Sequence, residues 1–253
     1  MDYPVTNPRS VLITGAAGGI GSAVARAYAG SDVHLFLGDR RAEKLELVGR
    51  SCEELGATTC CRSIDVTDSA AMKEWIDECE SVRELDLVIS NAGISHGNLP
   101  KEETEDETRA VFAVNLDGML NTIFPALPLM RARRRGQIAL MSSLAGFRGF
   151  PHSPSYCATK AAIRVFGQGL RARVRRDGVS VCVIIPAFVK TSMTEGNLYG
   201  MPWIVETDRA AQVIKRNLAR DKGEFVFPLM YSVVAWGLSV VPGAVMAHFT
   251  ELK

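Results

Sequence analysis

The chain has 253 residues, 47% hydrophobic and 23% charged, with a formal net charge of +1. Such a composition provides a sizeable core and excludes an intrinsically disordered chain. The near-zero charge supplies no field that would hold nucleic acid.

The six cysteines are Cys52, Cys60, Cys61, Cys79, Cys157 and Cys182. They form no Cys-x-x-Cys pair and have no histidine cluster beside them. Neither a metal site nor a disulfide framework is expected, and buried or semi-buried free thiols in a reducing cytoplasm fit. Met1-Asp2-Tyr3-Pro4 lacks the basic and apolar regions of a signal peptide, so a cytoplasmic protein is expected. Arginine-rich stretches at 131–135 and 171–176 fall near expected helix ends and read as solvated termini.

Val11-Leu12-Ile13 reads as a strand running into Thr14-Gly15-Ala16-Ala17-Gly18-Gly19-Ile20-Gly21, with a helix over 22–28. Strand, glycine turn and helix together present backbone N–H groups to a phosphate. The spacing is Gly-x-x-x-Gly-x-Gly, not the common Gly-x-Gly-x-x-Gly, and a glycine turn without a ligand is its bland alternative. A second apolar run, Val33–Leu37, ends in Gly38-Asp39-Arg40. Asp39 lies about 20 residues past the glycines, where a dinucleotide fold places the acid that binds the adenosine ribose. Residues 42–55 read as a surface helix with Leu45, Val48 and Leu55 inward.

A third strand is expected over 58–64, ending in Asp65-Val66-Thr67-Asp68, with Asp68 capping a helix through Trp75 and Cys79. The nearly continuous apolar run Leu85–Ile89 fits a parallel strand buried on both faces, ending in Ser90-Asn91-Ala92-Gly93. Strands alternating with helices, with small residues at the strands' C-terminal ends, describe a doubly wound α/β sheet.

A polar segment leads into a long helix over about 104–131, in which Asn115 is an amide among apolar neighbours and needs partners. A strand over 137–141 ends at Ser142-Ser143. After the loop 144–155 comes Tyr156-Cys157-Ala158-Thr159-Lys160. Four apart on a helix, Tyr156 and Lys160 share a face. An ammonium lowers a phenol from its ordinary ~10, and a lowered tyrosine exchanges a proton with an alcohol or carbonyl oxygen. Ser143 could hold that oxygen. A chance Tyr-x-x-x-Lys on an amphipathic helix is the competing account. A strand over 179–185, then Pro186-Ala187-Phe188, and a helix over 207–221 follow.

Taken in order, Thr14-Gly15-x-x-x-Gly19-Ile20-Gly21, Asp65-Val66, Asn91-Ala92-Gly93, Asn115, Ser143, Tyr156-x-x-x-Lys160 and Pro186 with Thr191 resemble the short-chain dehydrogenase/reductase family, in its standard single-domain branch, over about 11–225. The resemblance implies a three-layer Rossmann fold with a seven-stranded parallel sheet between helix layers, in one domain over 1–253. It implies NAD or NADP as cofactor and reversible hydride transfer between an alcohol and a carbonyl compound. Tyr156 would be the general acid/base. Lys160 would lower its pKa and hold the nicotinamide ribose. Ser143 would orient the substrate oxygen, and Asn115 would support a relay water beside Lys160. The implied cofactor contacts are Thr14, Gly15, Ala17, Gly19, Ile20, Gly21, Asp39, Arg40, Asp65, Val66, Asn91, Ala92, Gly93, Tyr156, Lys160, Pro186, Phe188, Val189 and Thr191.

Two departures stand out: Pro186-Ala187 where the family usually has Pro-Gly, and Cys157-Ala158-Thr159 where it often has Ser-Ala-Ser. Neither is expected to touch a catalytic position. Asp39 favours NAD, because a 2′-phosphate would meet like charge; NADP is the alternative, through Arg40 and Arg41. A catalytically silent dinucleotide sensor or scaffold, or an epimerase or dehydratase on the same fold, are the competing functions. Phe147, Phe150, Phe188, Met193, Leu198 and Trp203, on loops 144–155 and 188–206, favour an apolar substrate. The resemblance implies that the helices over 104–131 and 155–176 pair across a two-fold axis into a homodimer or homotetramer; one-sided core packing is the alternative.

From Phe225 to Phe249 there is no Asp, Glu, Lys or Arg. Length permits a membrane span, but Pro228, Gly237, Pro242 and Gly243 interrupt it. The tail over about 229–249 is expected to cover the substrate pocket or contact a subunit. A peripheral membrane foothold is the third use.

Overall fold

The computed structural model describes residues 5–96, 102–194 and 203–240. Leu198 and the tail from Val241 onward, both singled out above, lie outside them. Seven strands form one parallel sheet: β1 (Ser10–Thr14), β2 (His34–Asp39), β3 (Thr58–Ser63), β4 (Leu87–Ser90), β5 (Gly136–Met141), β6 (Val179–Pro186) and β7 (Glu224–Phe227). Their order is β3-β2-β1-β4-β5-β6-β7, so the chain reverses direction between β1 and β4. A ligand cleft is expected at that switch point, outside the C-terminal ends of the two strands.

The helices are α1 (Gly19–Tyr28), α2 (Ala42–Glu53), α3 (Ser69–Val82), α4 (Glu105–Phe112), α5 (Gly118–Ala132), α6 (Pro154–Val174), α7 (Thr207–Ala219) and α8 (Tyr231–Val240). Side chains alternate across a strand, and the sheet has a core on each face. Val11, Ile13, Leu35 and Ile184 pack with Val24, Leu45 and Ile214 from α1, α2 and α7. Leu12, Phe36, Val88 and Ile138 pack with Ile76, Ile123 and Ile163 from α3, α5 and α6. Covered on both faces, β1, β4, β5 and β6 are buried throughout.

Several expectations need correction. The first helix begins at Gly19, three residues early, because the glycine turn leads directly into it. Leu55 is exposed and lies beyond α2; Gly49 and Cys52 complete the inner face instead. Cys60 and Cys61 are exposed, because β3 is the sheet's edge strand and most of it faces solvent. The long helix is not uniform: a π-helical turn, Ala113–Asp117, separates α4 from α5. Three of the arginines read as solvated are clamps. Arg133 bonds Glu80 and the Leu85 carbonyl, Arg135 pairs with Asp86 at 2.9 Å, and Arg171 pairs with Asp221 at 2.8 Å.

Asp68 caps α3 as expected, accepting from the N–H groups of Ala70 and Ala71. Thr104 and Glu107 form a capping box at the start of α4. The inner face of α8 places Tyr231 and Ala235 against Leu144, with Phe147, Ala187 and Phe188 alongside.

Candidate active site

The switch point is stitched by two side chains. Thr14 Oγ1 accepts from the N–H groups of Asn91 and Ala92, both at 3.2 Å. Asn91 Nδ2 donates to the carbonyls of Thr14 (3.0 Å) and Gly15 (3.1 Å). The turn above them requires glycine. Gly15 has φ +66°, and a Cβ there would stand 2.8 Å from Ala92 Cα. A Cβ on Gly21 would stand 2.2 Å from the Gly15 carbonyl oxygen. No side chain caps α1, so its first N–H groups, on Gly19, Ile20 and Gly21, have no intrahelical acceptor and point into the cleft mouth. Ile20 also packs against the core, and Gly19 lies against the Thr191 methyl.

Asp39, at the end of β2, is buried and heavily bonded. Its Oδ2 accepts from Ala17 N–H (3.1 Å) and from Arg41 Nη2 (3.0 Å), and its Oδ1 from Arg41 N–H (3.0 Å) and Nε (2.9 Å). Burial pushes the carboxyl up, but the bonds and charge of Arg41 outweigh it and hold the group below its ordinary value. Arg41 thus lies over the glycine turn, against Gly18. Arg40 faces outward and pairs with Asp65 at 3.5 Å. Asp65 Oδ1 accepts from Thr67 N–H (2.9 Å) and hydroxyl (2.8 Å), which also lower its pKa. Val66 presses on Gly118, and its carbonyl accepts from Asn121. Val66 therefore links the β3 end to α5.

The second group gathers where β5 ends beside α6. Ser143 caps the 3₁₀ turn Leu144–Phe147, its hydroxyl accepting from Ala145 N–H at 3.2 Å. It also acts on the Tyr156 phenol, whose pKa it lowers. Pro154 opens α6 at the first helical position, where its missing N–H costs nothing. Lys160, one turn beyond Tyr156, is buried and donates to the Met141 carbonyl at 2.9 Å. Its ammonium lies 5.4 Å from the Tyr156 ring centroid. Burial alone brings its pKa down from 10.5 to about 8. Ser142 anchors the same turn, donating to the Lys160 carbonyl at 2.7 Å.

Asn115, in the π turn, is fully buried, with three of its four hydrogen-bonding positions filled. Its Oδ1 accepts from Ile94 N–H (2.8 Å), and its Nδ2 donates to the Ile94 carbonyl (3.1 Å) and to Thr159 Oγ1 (3.0 Å). Asn115 Oδ1 and Lys160 Nζ lie 3.2 and 3.3 Å from the point where a Cβ on Gly93 would sit. The two polar atoms thus converge over a glycine of the β4 turn.

The expected lowering of Tyr156 is not what this geometry gives. Burial raises its pKa, and only Ser143 opposes that. Lys160 is turned towards Met141 and is itself disfavoured as a cation. Nor is the segment between Tyr156 and Lys160 neutral for the site, since Thr159 holds Asn115. A serine would supply the same hydroxyl, so the departure from Ser-Ala-Ser keeps this bond.

At the end of β6, Ala187 N–H donates to the Phe227 carbonyl at 3.0 Å, which sets the turn after Pro186. Val189 is buried and bridges Val205, and Thr191 N–H donates to Thr194 Oγ1 at 2.9 Å. Phe188 meets Tyr231 edge to face at 5.6 Å, and Trp203 does so at 5.8 Å. Phe147, Phe188 and Leu144 form an apolar wall against α8, whereas Met193 and Trp203 are largely exposed.

Sequence reasoning missed Ser142, Thr159, Ile94 and the Met141 carbonyl. Three act through hydroxyl or backbone groups, which leave no pattern. Thr159, inside the Tyr-x-x-x-Lys segment, was the legible one.

A family model described as "short chain dehydrogenase" matches residues 9–199. An uncharacterized oxidoreductase of Myxococcus xanthus is 33% identical over 235 residues, covering 92% of this chain and 93% of that protein. A 3-oxoacyl-[acyl-carrier protein] reductase of Brucella melitensis, solved with bound NAD, is 30% identical with a TM-score of 0.74, covering 86% and 88%. A short-chain dehydrogenase of Sphingobium yanoikuyae in complex with NADPH shares the fold, with a TM-score of 0.81, 23% identity and 96% of each chain covered.

Proposed function

Because the chain belongs to the short-chain dehydrogenase family, we propose that it is an NAD(P)-dependent oxidoreductase that interconverts an alcohol and a ketone or aldehyde, on an apolar substrate. It acts as one domain, with 188–206 as its substrate loop, in the cytoplasm. The observation that carries this reading is the convergence of Lys160 Nζ and Asn115 Oδ1 over Gly93, with Tyr156 one turn before Lys160 and its phenol under the influence of Ser143. Two neighbouring hydroxyls, on Ser143 and Tyr156, can both address one substrate oxygen.

The glycine cradle, the uncapped α1 and the buried Asp39 fit a dinucleotide. Its phosphates would lie on the α1 N–H groups, its adenosine ribose near Asp39, and its nicotinamide ribose near Lys160 and Tyr156. When bound, the nicotinamide supplies or accepts the hydride. Ser143 holds the substrate oxygen. Tyr156 Oη gives that oxygen a proton in reduction and takes one in oxidation. Asn115, locked by Ile94 and Thr159, keeps the π turn facing Lys160 and supports a relay water there. The wall of Phe147, Phe188 and Leu144 excludes water and suits an apolar substrate. The test is a screen of alcohols and ketones followed by the absorbance of reduced nicotinamide. Cofactor binding without turnover of any of them would overturn the assignment in favour of a silent sensor.

NAD is the preferred cofactor in this reading, because Asp39 stays ionised at neutral pH. Arg41 tempers that preference by neutralising the carboxylate. Arg41→Ala should therefore raise the ratio of kcat/KM for NAD over NADP, and Asp39→Ala should lower it by about tenfold or more, roughly 1.4 kcal/mol. A wild-type enzyme with a clear NADP preference would reverse the assignment.

A further inference from the structure

Arg164 takes no part in the chemistry described so far. It lies on α6, one turn beyond Lys160, and is half-buried. Its Nε is buried without a hydrogen-bond acceptor, and among the described residues no carboxylate pairs with it. One turn further along α6, the Glu224 carboxylate accepts from Gln168 Nε2 at 2.7 Å instead. A buried donor left unpaired is costly, so an arginine kept here needs another use. Its guanidinium carbon lies 4.3 Å from the centroid of the Phe147 ring. A planar, weakly hydrated guanidinium is suited to stacking on an aromatic face.

Phe147 closes the 3₁₀ turn that begins at the Ser143 cap. Just before that turn, Ser142 Oγ donates to the Lys160 carbonyl at 2.7 Å. Within it, Gly146 lies against the Lys160–Ala161 peptide: a Cβ there would stand 2.7 Å from the Lys160 carbonyl carbon. The Phe147–Arg164 stack adds a side-chain tie one helical turn further on, at the end of the turn that the backbone leaves free. Ser143 itself has local bonds, its hydroxyl accepting from Ala145 N–H (3.2 Å) and its carbonyl from Gly146 N–H (2.9 Å). The direction of its hydroxyl therefore follows the turn. On the side away from α6, Tyr231 and Ala235 of α8 pack against Leu144. Apolar packing of that kind is non-directional, so it lets the turn slide where the stack does not.

We propose that Arg164 is a positioning residue: stacked on Phe147, it locks the 3₁₀ turn onto α6 and so aims the Ser143 hydroxyl, together with Tyr156, at one substrate oxygen. This rests on the reading of Ser143 as the residue that holds that oxygen. The same stack fixes the Phe147 ring, and with it one side of the apolar wall. The competing account is that the arginine stem merely covers apolar surface while its head reaches water. Methionine keeps such a stem and loses both the plane and the charge, so it separates the two accounts.

The test compares Arg164→Met, Arg164→Lys and Phe147→Leu, singly and with both sites changed, by amide hydrogen exchange and by steady-state kinetics. Exchange needs neither substrate nor cofactor. In Arg164→Met the amides of Ala145 and Gly146 should exchange about tenfold faster or more, while those of β5 and β6 keep their protection. On a substrate found by the alcohol and ketone screen, kcat should fall about ten- to a hundredfold, the effect of a small misplacement of an orienting group. KM for NAD should stay at its wild-type value, because the glycine turn is untouched. Arg164→Lys keeps the charge without the plane and should recover part of both losses. In the Phe147→Leu background, Arg164→Met should add nothing further. Wild-type exchange at Ala145 and Gly146 in Arg164→Met overturns the inference, as do losses that persist undiminished beside Phe147→Leu. Faster exchange with a wild-type kcat also overturns it, since the turn would then be held without aiming Ser143. Should Arg164→Met fail to fold, wild-type exchange and kcat in both Arg164→Lys and Phe147→Leu overturn it. A protein that binds NAD and turns over none of the alcohols and ketones refutes the enzyme reading instead, and the exchange measurement still shows whether Arg164 locks the turn.

Discussion

Tyr156→Phe is expected to lower kcat by about 10²–10⁴-fold while leaving cofactor affinity and thermal stability near wild type. The change removes one oxygen from a ring that otherwise keeps its packing against α6. The neighbouring Ser143 Oγ retains the N–H of Ala145, so no hydroxyl is stranded without a bond. The pH dependence carries a second, signed expectation. Burial holds the Tyr156 phenol above its ordinary value, with only Ser143 opposing. A protonated tyrosine at neutral pH is ready to donate, so carbonyl reduction should run well at neutral pH. Alcohol oxidation, which needs the phenolate, should climb towards alkaline pH. Ser143→Ala removes the one lowering contact and should push that alkaline limb higher. Unchanged turnover by the Phe variant on an identified substrate would remove Tyr156 from its role.

What could be read from the chain, and what could not, divides along physical lines. Val11–Ile13, Leu85–Ile89 and Val179–Ile185 announced themselves because a parallel strand covered on both faces is apolar at nearly every position. The glycine turn was legible because Gly15 and Gly21 have no substitute: one needs positive φ and the other has a carbonyl where a Cβ would stand. Leu55 misled because periodicity alone cannot see that Gly49 presses on Cys61 and that Cys52 turns inward. Cys60 and Cys61 were misjudged because a hydrophobic pattern does not say which strand lies at the edge.

In the site, Asn115 was conspicuous as an amide among apolar residues. The π turn that aims it has no sequence code, and its partners are a backbone segment at Ile94 and one hydroxyl. Asp39 was found by its offset, yet its electrostatics are set by Arg41, two residues on, through a bidentate bond that no sequence pattern encodes. Lys160 was placed on the right face, but its ammonium turns to the Met141 carbonyl, and the burial of Tyr156 itself holds the phenol above its ordinary value.

Lys160→Met should abolish activity and at the same time change how stability depends on pH. Burial without an opposing carboxylate lowers the Lys160 pKa from 10.5 to about 8. Below about pH 8 the ammonium is charged in both folded and unfolded chains, and the folded state bears the full cost of holding it away from water. Between about 8 and 10.5 the folded chain releases a proton that the unfolded chain still keeps, so stability rises with pH through that window. The shift corresponds to roughly 3 kcal/mol, as an order of magnitude. Methionine fills a similar volume without charge. It leaves the Met141 carbonyl without its partner, a loss of about 1–3 kcal/mol that does not vary with pH. The informative quantity is therefore the difference in unfolding free energy between variant and wild type across pH. Relative to wild type, the variant should be at its most stable near pH 7 and lose that standing steadily up to about pH 10. Chemical denaturation at intervals from pH 7 to 10 measures this directly. A difference that stays flat across the range would mean that Lys160 is not held as a destabilised cation. The same scan tests the catalytic proposal from a second side, because the strained ammonium is the group expected to gain partners in the nicotinamide ribose. Cofactor should therefore stabilise wild type more than the methionine variant, and by more at pH 7 than at pH 10.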